Sequence, residues 1–133
     1  MKLNTFSTKL ILNTDIPNKS FYDFVIDGKS LLDLLKKHEY IPCIGPGTNN
    51  YKQELIEELT LKKLSKLGGN RYPLFICADC GDLNCGFVSA IIEEEHNMIV
   101  WRDFKKGDPM KLTHVGPYYF EKNNYMKNIL NTL

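Results

Sequence analysis

The stretch FVSAIIEEEHNMIVWRDF, residues 87–104, decides the fold of this chain of 133 residues. Apolar and β-branched residues fill most of Phe87–Glu93 and Asn97–Phe104, and the polar residues 94–96 lie between them. Two such runs around a short polar tip are typical of a β-hairpin. The single tryptophan, Trp101, is expected to pack inward from it. The sequence therefore predicts an antiparallel pair of strands here.

Further segments have the composition of strands, because they are rich in β-branched, aromatic and aliphatic residues and are bounded by turn residues. They are Phe6–Leu12, Phe21–Ile26, Ile41–Ile44, Pro73–Cys77 and Tyr118–Phe120. Pro73–Cys77 is short and apolar throughout, which favours a central strand. Gly107–Pro117 is expected to be a long loop.

Three segments repeat apolar residues at helical spacing. They are Ser30–His38, Asn50–Leu67 and a closing segment that contains Tyr125, Ile129 and Leu130. Ser30 is predicted to cap the first helix, and Gly68-Gly69 to end the second. Strands outnumber helices and do not alternate with them. The chain is therefore predicted to be a single α+β domain, residues 1–133, with an antiparallel or mixed sheet and two to three helices packed on it.

Composition and charge narrow the function classes. Seventeen Lys and Arg side chains nearly balance sixteen Asp and Glu side chains, so the net charge is only +1. A nucleic-acid-binding domain usually carries a clustered basic excess, so no nucleic-acid partner is expected. No apolar run approaches the roughly 18 residues of a membrane span, and no signal peptide is recognisable, so we expect a cytoplasmic protein without a membrane partner.

Three of the four cysteines crowd into one segment, Cys77, Cys80 and Cys85. A structural zinc site needs four soft ligands in a tetrahedron, and these residues supply three. Cys43 is the candidate fourth ligand, since its short strand could run beside Pro73–Cys77, and His96 and His114 are weaker candidates. The spacing is incomplete, so zinc is an alternative interpretation and no cofactor is the first expectation.

Two other interpretations of the cysteines compete with zinc. A redox motif needs a helix N-terminus to lower the pKa of its first thiol, but Gly81 and Asp82 follow Cys80 at once and no helical pattern begins. The charge of Asp82 would also raise nearby thiol pKa values. In the favoured interpretation, Cys77 and Cys85 are small buried side chains, and glycines such as Gly81 allow a tight connection between adjacent strands.

The acidic run Glu93, Glu94 and Glu95 is the other polar cluster. A charge run at a hairpin tip is usually just solvated. Its functional interpretation, together with Asp82, is an acidic patch that contacts a basic partner and steers association. No nucleophile, metal-protease, phosphate-loop or dinucleotide-binding motif occurs in the sequence, so no catalytic residue is assigned.

Four groups of residues stand out together: Asp27-Gly28-Lys29-Ser30-Leu31, the segment Cys77-x2-Cys80-Gly81-Asp82-x2-Cys85-Gly86, the segment Val100-Trp101-x-Asp103-Phe104, and Phe120 with Tyr125. Taken together, they resemble a family of small bacterial proteins without an established activity. The cysteine segment is the most specific part. Some relatives are automatically labelled oxidoreductase, but the residues here offer little mechanism for that label.

Two hypotheses follow, and a plain scaffold domain is a third interpretation. The favoured one is a noncatalytic protein that binds another protein, because small, motif-poor bacterial proteins of ordinary composition are typical of immunity proteins, which neutralise a toxin by direct binding. Its contact region would include Asp82 and Glu93–Glu95. The alternative is a zinc-binding or thiol-dependent protein that uses the cysteine segment, with Cys43 as the fourth ligand.

Overall fold

The computed structural model describes residues 2–12, 20–35, 40–45, 49–77, 86–107 and 110–132. Within these ranges the strands are β1 (Phe6–Ile11), β2 (Phe21–Ile26), β3 (Lys29–Ser30), β4 (Tyr40–Pro42), β5 (Arg71–Cys77), β6 (Phe87–Glu95), β7 (Met98–Lys106), β8 (Met110–Lys111) and β9 (Tyr118–Glu121). The helices are α1 (Leu31–Leu34), α2 (Asn49–Leu59) and α3 (Lys122–Leu130).

The described strands form two antiparallel sheets, which confirms the predicted α+β class. One has the order β1-β2-β3, and the other has the order β4-β5-β6-β7-β8, with β9 also paired to β7. The predicted hairpin is β6–β7, and its turn is His96-Asn97, with φ of +51° and +64°. Positive φ at both turn positions suits the right-handed twist of the strands. Glu94 and Glu95, expected at the tip, therefore belong to β6.

Among the described residues, single backbone hydrogen bonds join the two sheets at two places. The Tyr22 N–H of β2 donates to the Ile44 carbonyl just after β4 (2.9 Å), and the Asn4 N–H before β1 donates to the Tyr119 carbonyl of β9 (2.7 Å). Gly45, with φ of +128°, allows the first approach, because a Cβ there would collide with the backbone of Phe21. Neighbouring strands thus follow one another from β1 through β2, β4, β5, β6, β7 and β9 back to β1.

The core between the sheets is centred on Trp101, which is fully buried as predicted. Its ring meets those of Phe6, Phe24 and Phe120 edge-on, at centroid distances of 5.3–5.4 Å. Its indole N–H donates to the Tyr125 hydroxyl (3.3 Å), which donates to the Leu59 carbonyl at the end of α2 (2.7 Å). One buried chain of contacts thus ties both sheets to α2 and α3.

The starts of the helices agree with the sequence predictions better than their ends do. Ser30 caps α1 as predicted, with its side chain accepting from the Asp33 N–H (3.0 Å). The helix ends at Leu34, and residues 36–39 lie outside the described ranges. Tyr125 and Ile129 of α3 are buried as expected, whereas Leu130 is 40% exposed. A short strand, β8, lies within the predicted loop.

The prediction that α2 runs to Leu67 is wrong, because the helix ends at Leu59. Leu61 takes the left-handed conformation, with φ of +63°. The N–H groups of Leu61 and Lys62 then donate back to the carbonyls of Glu58 (2.9 Å) and Glu57 (2.8 Å). This is the Schellman arrangement that terminates helices, here without a glycine. Leu64, which continued the helical period, is 84% exposed.

Among the described residues, no helix has the length and apolar character that crossing a membrane requires.

Tyr125→Phe tests the buried contacts around Trp101. The variant removes the hydroxyl that bonds the Leu59 carbonyl and the Trp101 N–H, and both partners are buried, so we expect a loss of about 1–3 kcal/mol in the free energy of unfolding. Urea denaturation measures this loss. Tyr119→Phe, at a half-buried position on β9, is the matched control and should cost much less. Equal stability of the two variants would contradict the assignment.

Candidate functional site

The residues of the family resemblance that the structure describes have architectural roles. Asp27 lies in the β2–β3 turn with φ of +54°, and its carboxylate accepts from the Asn4 side chain (2.7 Å) and the Thr5 N–H (2.8 Å). These hydrogen bonds lower its pKa. Ser30 also donates to the buried Asp23 carboxylate, which accepts the Leu32 N–H (3.0 Å). Both acids thus hold the chain at the ends of the small sheet.

Asp103 has a similar structural role on β7. It takes a φ of +54° where the β6–β7 register shifts. Its carboxylate pairs with Arg71 of β5 (2.5 Å), and the Arg71 guanidinium also reaches the Asp103 carbonyl (2.9 Å) and the buried Ser89 hydroxyl (3.0 Å). Arg71 therefore spans β5, β6 and β7 at the bulge. An open cavity of about 370 Å³ lies beside Asp103, with Lys111 and Tyr119 among its lining residues.

The acidic run does not form one patch. Successive side chains of a strand point to opposite faces, so Glu94 lies across the sheet from Glu93 and Glu95. Glu93 pairs with Arg102 (2.6 Å), and Glu94 pairs with Lys122 of α3 (3.0 Å). These ion pairs reduce the negative charge that the run offers to a basic partner. Asp82, the fourth predicted contact residue, lies outside the described residues.

The structure separates Cys43 from Cys77. Cys77 is opposite Tyr40 in the β4–β5 register, whereas the Cys43 N–H donates to the Leu74 carbonyl (2.8 Å). Three residues of strand span about 10 Å. Two thiolates on one tetrahedral zinc lie only about 4 Å apart. The register therefore argues against Cys43 as the fourth ligand of a zinc bound by Cys77.

The environment of Cys43 also disfavours the thiolate. The side chain is buried, and desolvation, followed by the nearby charge of Glu58, strongly raises its pKa. Cys80 and Cys85 lie outside the described residues, so the zinc site that they would form with Cys77 stays a prediction. Within the described part of the chain, no group of three or more His, Cys, Asp and Glu side chains is arranged to hold a metal ion.

The ends of the cysteine segment are held together by the large sheet. Ile76 of β5 pairs with Phe87 of β6, so Cys77 and Gly86 both lie at the same end of neighbouring strands. Gly86 takes a φ of +121°, and a side chain there would collide with the Tyr40 hydroxyl. Cys77 and Gly86, which flank residues 78–85 outside the described ranges, are thus held at the same end of β5 and β6.

Strand β1 has an outer edge that the described part of the chain leaves partly open, a feature that the sequence analysis missed. The Asp27 N–H donates to the Thr5 carbonyl, so Thr5 and Asp27 form a hydrogen-bonded pair at the start of the β1–β2 ladder. Hydrogen-bonded and non-bonded pairs alternate along antiparallel strands. The backbone groups of Thr8 and Leu10 must therefore point away from β2.

Contacts from described residues cover only the first half of this edge. Before β1, Asn4 donates to β9, and the Phe6 carbonyl accepts from the Asn124 side chain of α3 (3.0 Å). Farther along, no described residue forms a hydrogen bond with the outward N–H and C=O groups of Thr8 and Leu10. Leu10 and Leu12 are 47% and 69% exposed. The open part, residues 8–12, is called the free edge below.

The sequence signal for the free edge was weak. Alternation in Thr8-Lys9-Leu10-Ile11-Leu12 predicts a strand, as found, but it does not say which neighbours the strand has. How much of the β1 edge is covered depends on the contacts of Asn4 with Tyr119 and of Asn124 with Phe6, which are far apart in the sequence. Exposure of Leu10 and Leu12 would indicate an edge strand, but it is known only once the chain has folded.

Comparison with known proteins finds no match to the chain among family models, curated proteins or solved structures. The family resemblance therefore stays a prediction.

Glu58→Gln tests the buried carboxyl near Cys43. Glu58 is 4% exposed and accepts the Lys66 N–H (3.2 Å). Burial raises its pKa above the ordinary value of 4.5, so the folded chain favours the protonated form. The contribution of Glu58 to stability is then complete below about pH 4.5 and falls as the pH rises through its folded pKa.

We expect Glu58→Gln to match the wild-type stability in acid and to exceed it at neutral pH, because the amide keeps an acceptor oxygen without the charge. Urea denaturation across pH 4–8 measures the difference. Glu95→Gln, at the exposed end of β6, is the control for the loss of one carboxylate from the chain. A difference for Glu58→Gln that does not change with pH would contradict the raised pKa of Glu58.

Proposed function

We propose that this protein is a noncatalytic binding protein of bacterial type, an immunity protein that neutralises a toxin in the cytoplasm by direct binding. The observation that carries the proposal is the free edge of β1. An extended segment of the partner would add to the small sheet beside β1, as peptides do in proteins that bind by strand addition.

The free edge offers both backbone and side-chain contacts. Thr8 and Leu10 present N–H and C=O groups that pair with no described residue, and each hydrogen bond to a partner strand is worth about 0.5–1.5 kcal/mol net. Leu10 and Leu12 lie on one face of the strand, and covering one such side chain contributes about 1.5–3 kcal/mol when burial is complete. The backbone groups supply affinity, while the leucines select an apolar partner segment.

The charge of Lys9 favours a partner segment with acidic side chains on the face of the sheet opposite to Leu10. Its side chain points to the face opposite Leu10 and is exposed. This differs from the basic partner expected from Glu93–Glu95, whose first two carboxylates already pair with Arg102 and Lys122. We therefore place the partner contact at β1 and not at the acidic run.

A zinc-binding or thiol-dependent function is the second candidate, and one observation favours it. The β5–β6 pairing holds Cys77 and Gly86 at one sheet end, so the two ends of the segment that carries Cys80 and Cys85 are already close, which lowers the entropy cost of forming a shared site. Such a site would use Cys77, Cys80 and Cys85, with a fourth ligand other than Cys43.

Leu10→Pro tests the free edge. Proline removes the outward N–H, but this N–H is not part of the β1–β2 ladder, so the fold should persist. Co-expression with the product of a toxin gene next to the gene for this chain, followed by calorimetric titration, measures neutralisation and affinity. We expect Leu10→Pro to weaken binding at least about tenfold.

Leu130→Ala, which trims an exposed leucine on α3, is the matched control and should bind like the wild type. Leu10→Thr keeps the N–H but loses the apolar side chain, so its affinity should fall between the two. Unchanged binding by Leu10→Pro would place the contact elsewhere. Failure of the wild type to bind or neutralise any toxin encoded beside it would remove the immunity function.

The second candidate is tested by metal content. Protein purified without chelator should hold about one zinc per chain, and Cys80→Ser should lose it. Cys43→Ala should keep the zinc, since the register separates Cys43 from Cys77. Plasma emission spectrometry gives the metal, and a thiol count in denaturant gives the redox state. Wild-type protein without zinc, or zinc retained by Cys80→Ser, would exclude this site.

A further inference from the structure

We propose that the free edge also binds a second copy of this chain, with the two β1 strands antiparallel and Leu10 opposite its own counterpart. This arrangement would join two small sheets into one six-stranded sheet across a two-fold axis. It rests on the same free edge as the proposed function, but it needs no toxin and makes its own prediction of register.

Backbone geometry limits the registers that are available. In each copy the outward groups belong to even-numbered residues, so Thr8, Leu10 and Leu12 must face even-numbered residues of the other copy. With Leu10 opposite Leu10, Thr8 faces Leu12 and all three residues of each copy have a partner. Sliding toward the start of β1 would oppose Phe6, whose carbonyl already accepts from Asn124.

Charge selects the same register. A shift of the two strands by two residues, so that Thr8 faces Leu10, would put Lys9 of one copy directly opposite Lys9 of the other. This non-hydrogen-bonded pair has the closest cross-strand spacing, so the two like charges would destabilise it. In the Leu10 register, Lys9 instead faces the half-buried Ile11 of the other copy. The exposed leucines then pack against each other on the opposite face. The two-fold pairing therefore covers the apolar surface and keeps the lysines diagonal.

The small size of the contact sets its strength. Five residues from each copy are far fewer than the 20–30 a side of a standard protein interface. The dimer should therefore be weak and depend on concentration. A toxin segment with more contacts would displace the second copy.

Disulfide trapping of Leu10→Cys tests the register. Opposed residues in a hydrogen-bonded pair have Cα atoms about 5.5 Å apart, within disulfide range. Lys9→Cys is the matched control, because its two copies would be diagonal, about 7–8 Å apart and beyond that range. Leu130→Cys on α3 controls for random collision. Mild oxidation with copper–phenanthroline and mass spectrometry of the linked peptides identify the bond amid the native cysteines.

We expect Leu10→Cys to link to itself at least about tenfold faster than either control. Sedimentation velocity from about 10 μM to about 1 mM brackets the weak affinity, and the average mass of the wild type should rise from 15.4 kDa toward twice that value. Leu10→Pro should stay monomeric. Equal linking of Leu10→Cys and Lys9→Cys, or a monomeric wild type at about 1 mM, would overturn the proposal.

The two proposals fail separately. A monomeric wild type that still loses toxin binding on Leu10→Pro would refute self-pairing and leave the immunity function standing. A dimer trapped at Leu10 with no toxin binding would do the reverse.

Discussion

The packing of aromatic rings around Trp101 is the interaction on which the other features depend. Trp101 belongs to the large sheet, Phe6 and Phe24 to the small one, and Tyr125 to α3, and their rings meet edge-on in the core. Edge-to-face contacts favour such pairs beyond their buried area. Since only two backbone hydrogen bonds link the described sheets edge to edge, this cluster is the main connection between them.

The same cluster determines how much of β1 is covered. Phe6 at the start of β1 is drawn into the core, which brings α3 close enough for Asn124 to bond the Phe6 carbonyl. Two residues later the strand runs past α3, and Leu10 meets no further element among the described residues. A strand that is anchored at one end and open at the other is well suited to accept a partner, because binding there requires no rearrangement of the core.

Local chemistry explains which features could be predicted from the sequence. Alternation and turn residues identified β1, β2 and the β6–β7 hairpin, because each depends on near neighbours in the chain. The end of α2 was misplaced, since Leu61 adopts a conformation that the leucine period does not signal. The Arg71–Asp103 pair and the free edge depend on residues far apart in sequence, and a single sequence does not show such contacts.

The residues that look most like a functional signature mainly build the fold. Asp27 and Ser30 fasten the small sheet, Trp101 fills the core, and Asp103 holds a bulge through Arg71. Such roles require these residue types as strictly as catalysis would. A binding edge makes no comparable demand, because backbone groups supply most of its contacts and side chains need only be apolar and extended. A binding function at β1 would therefore leave little trace in residue identity, whereas the fold that exposes β1 leaves a strong one.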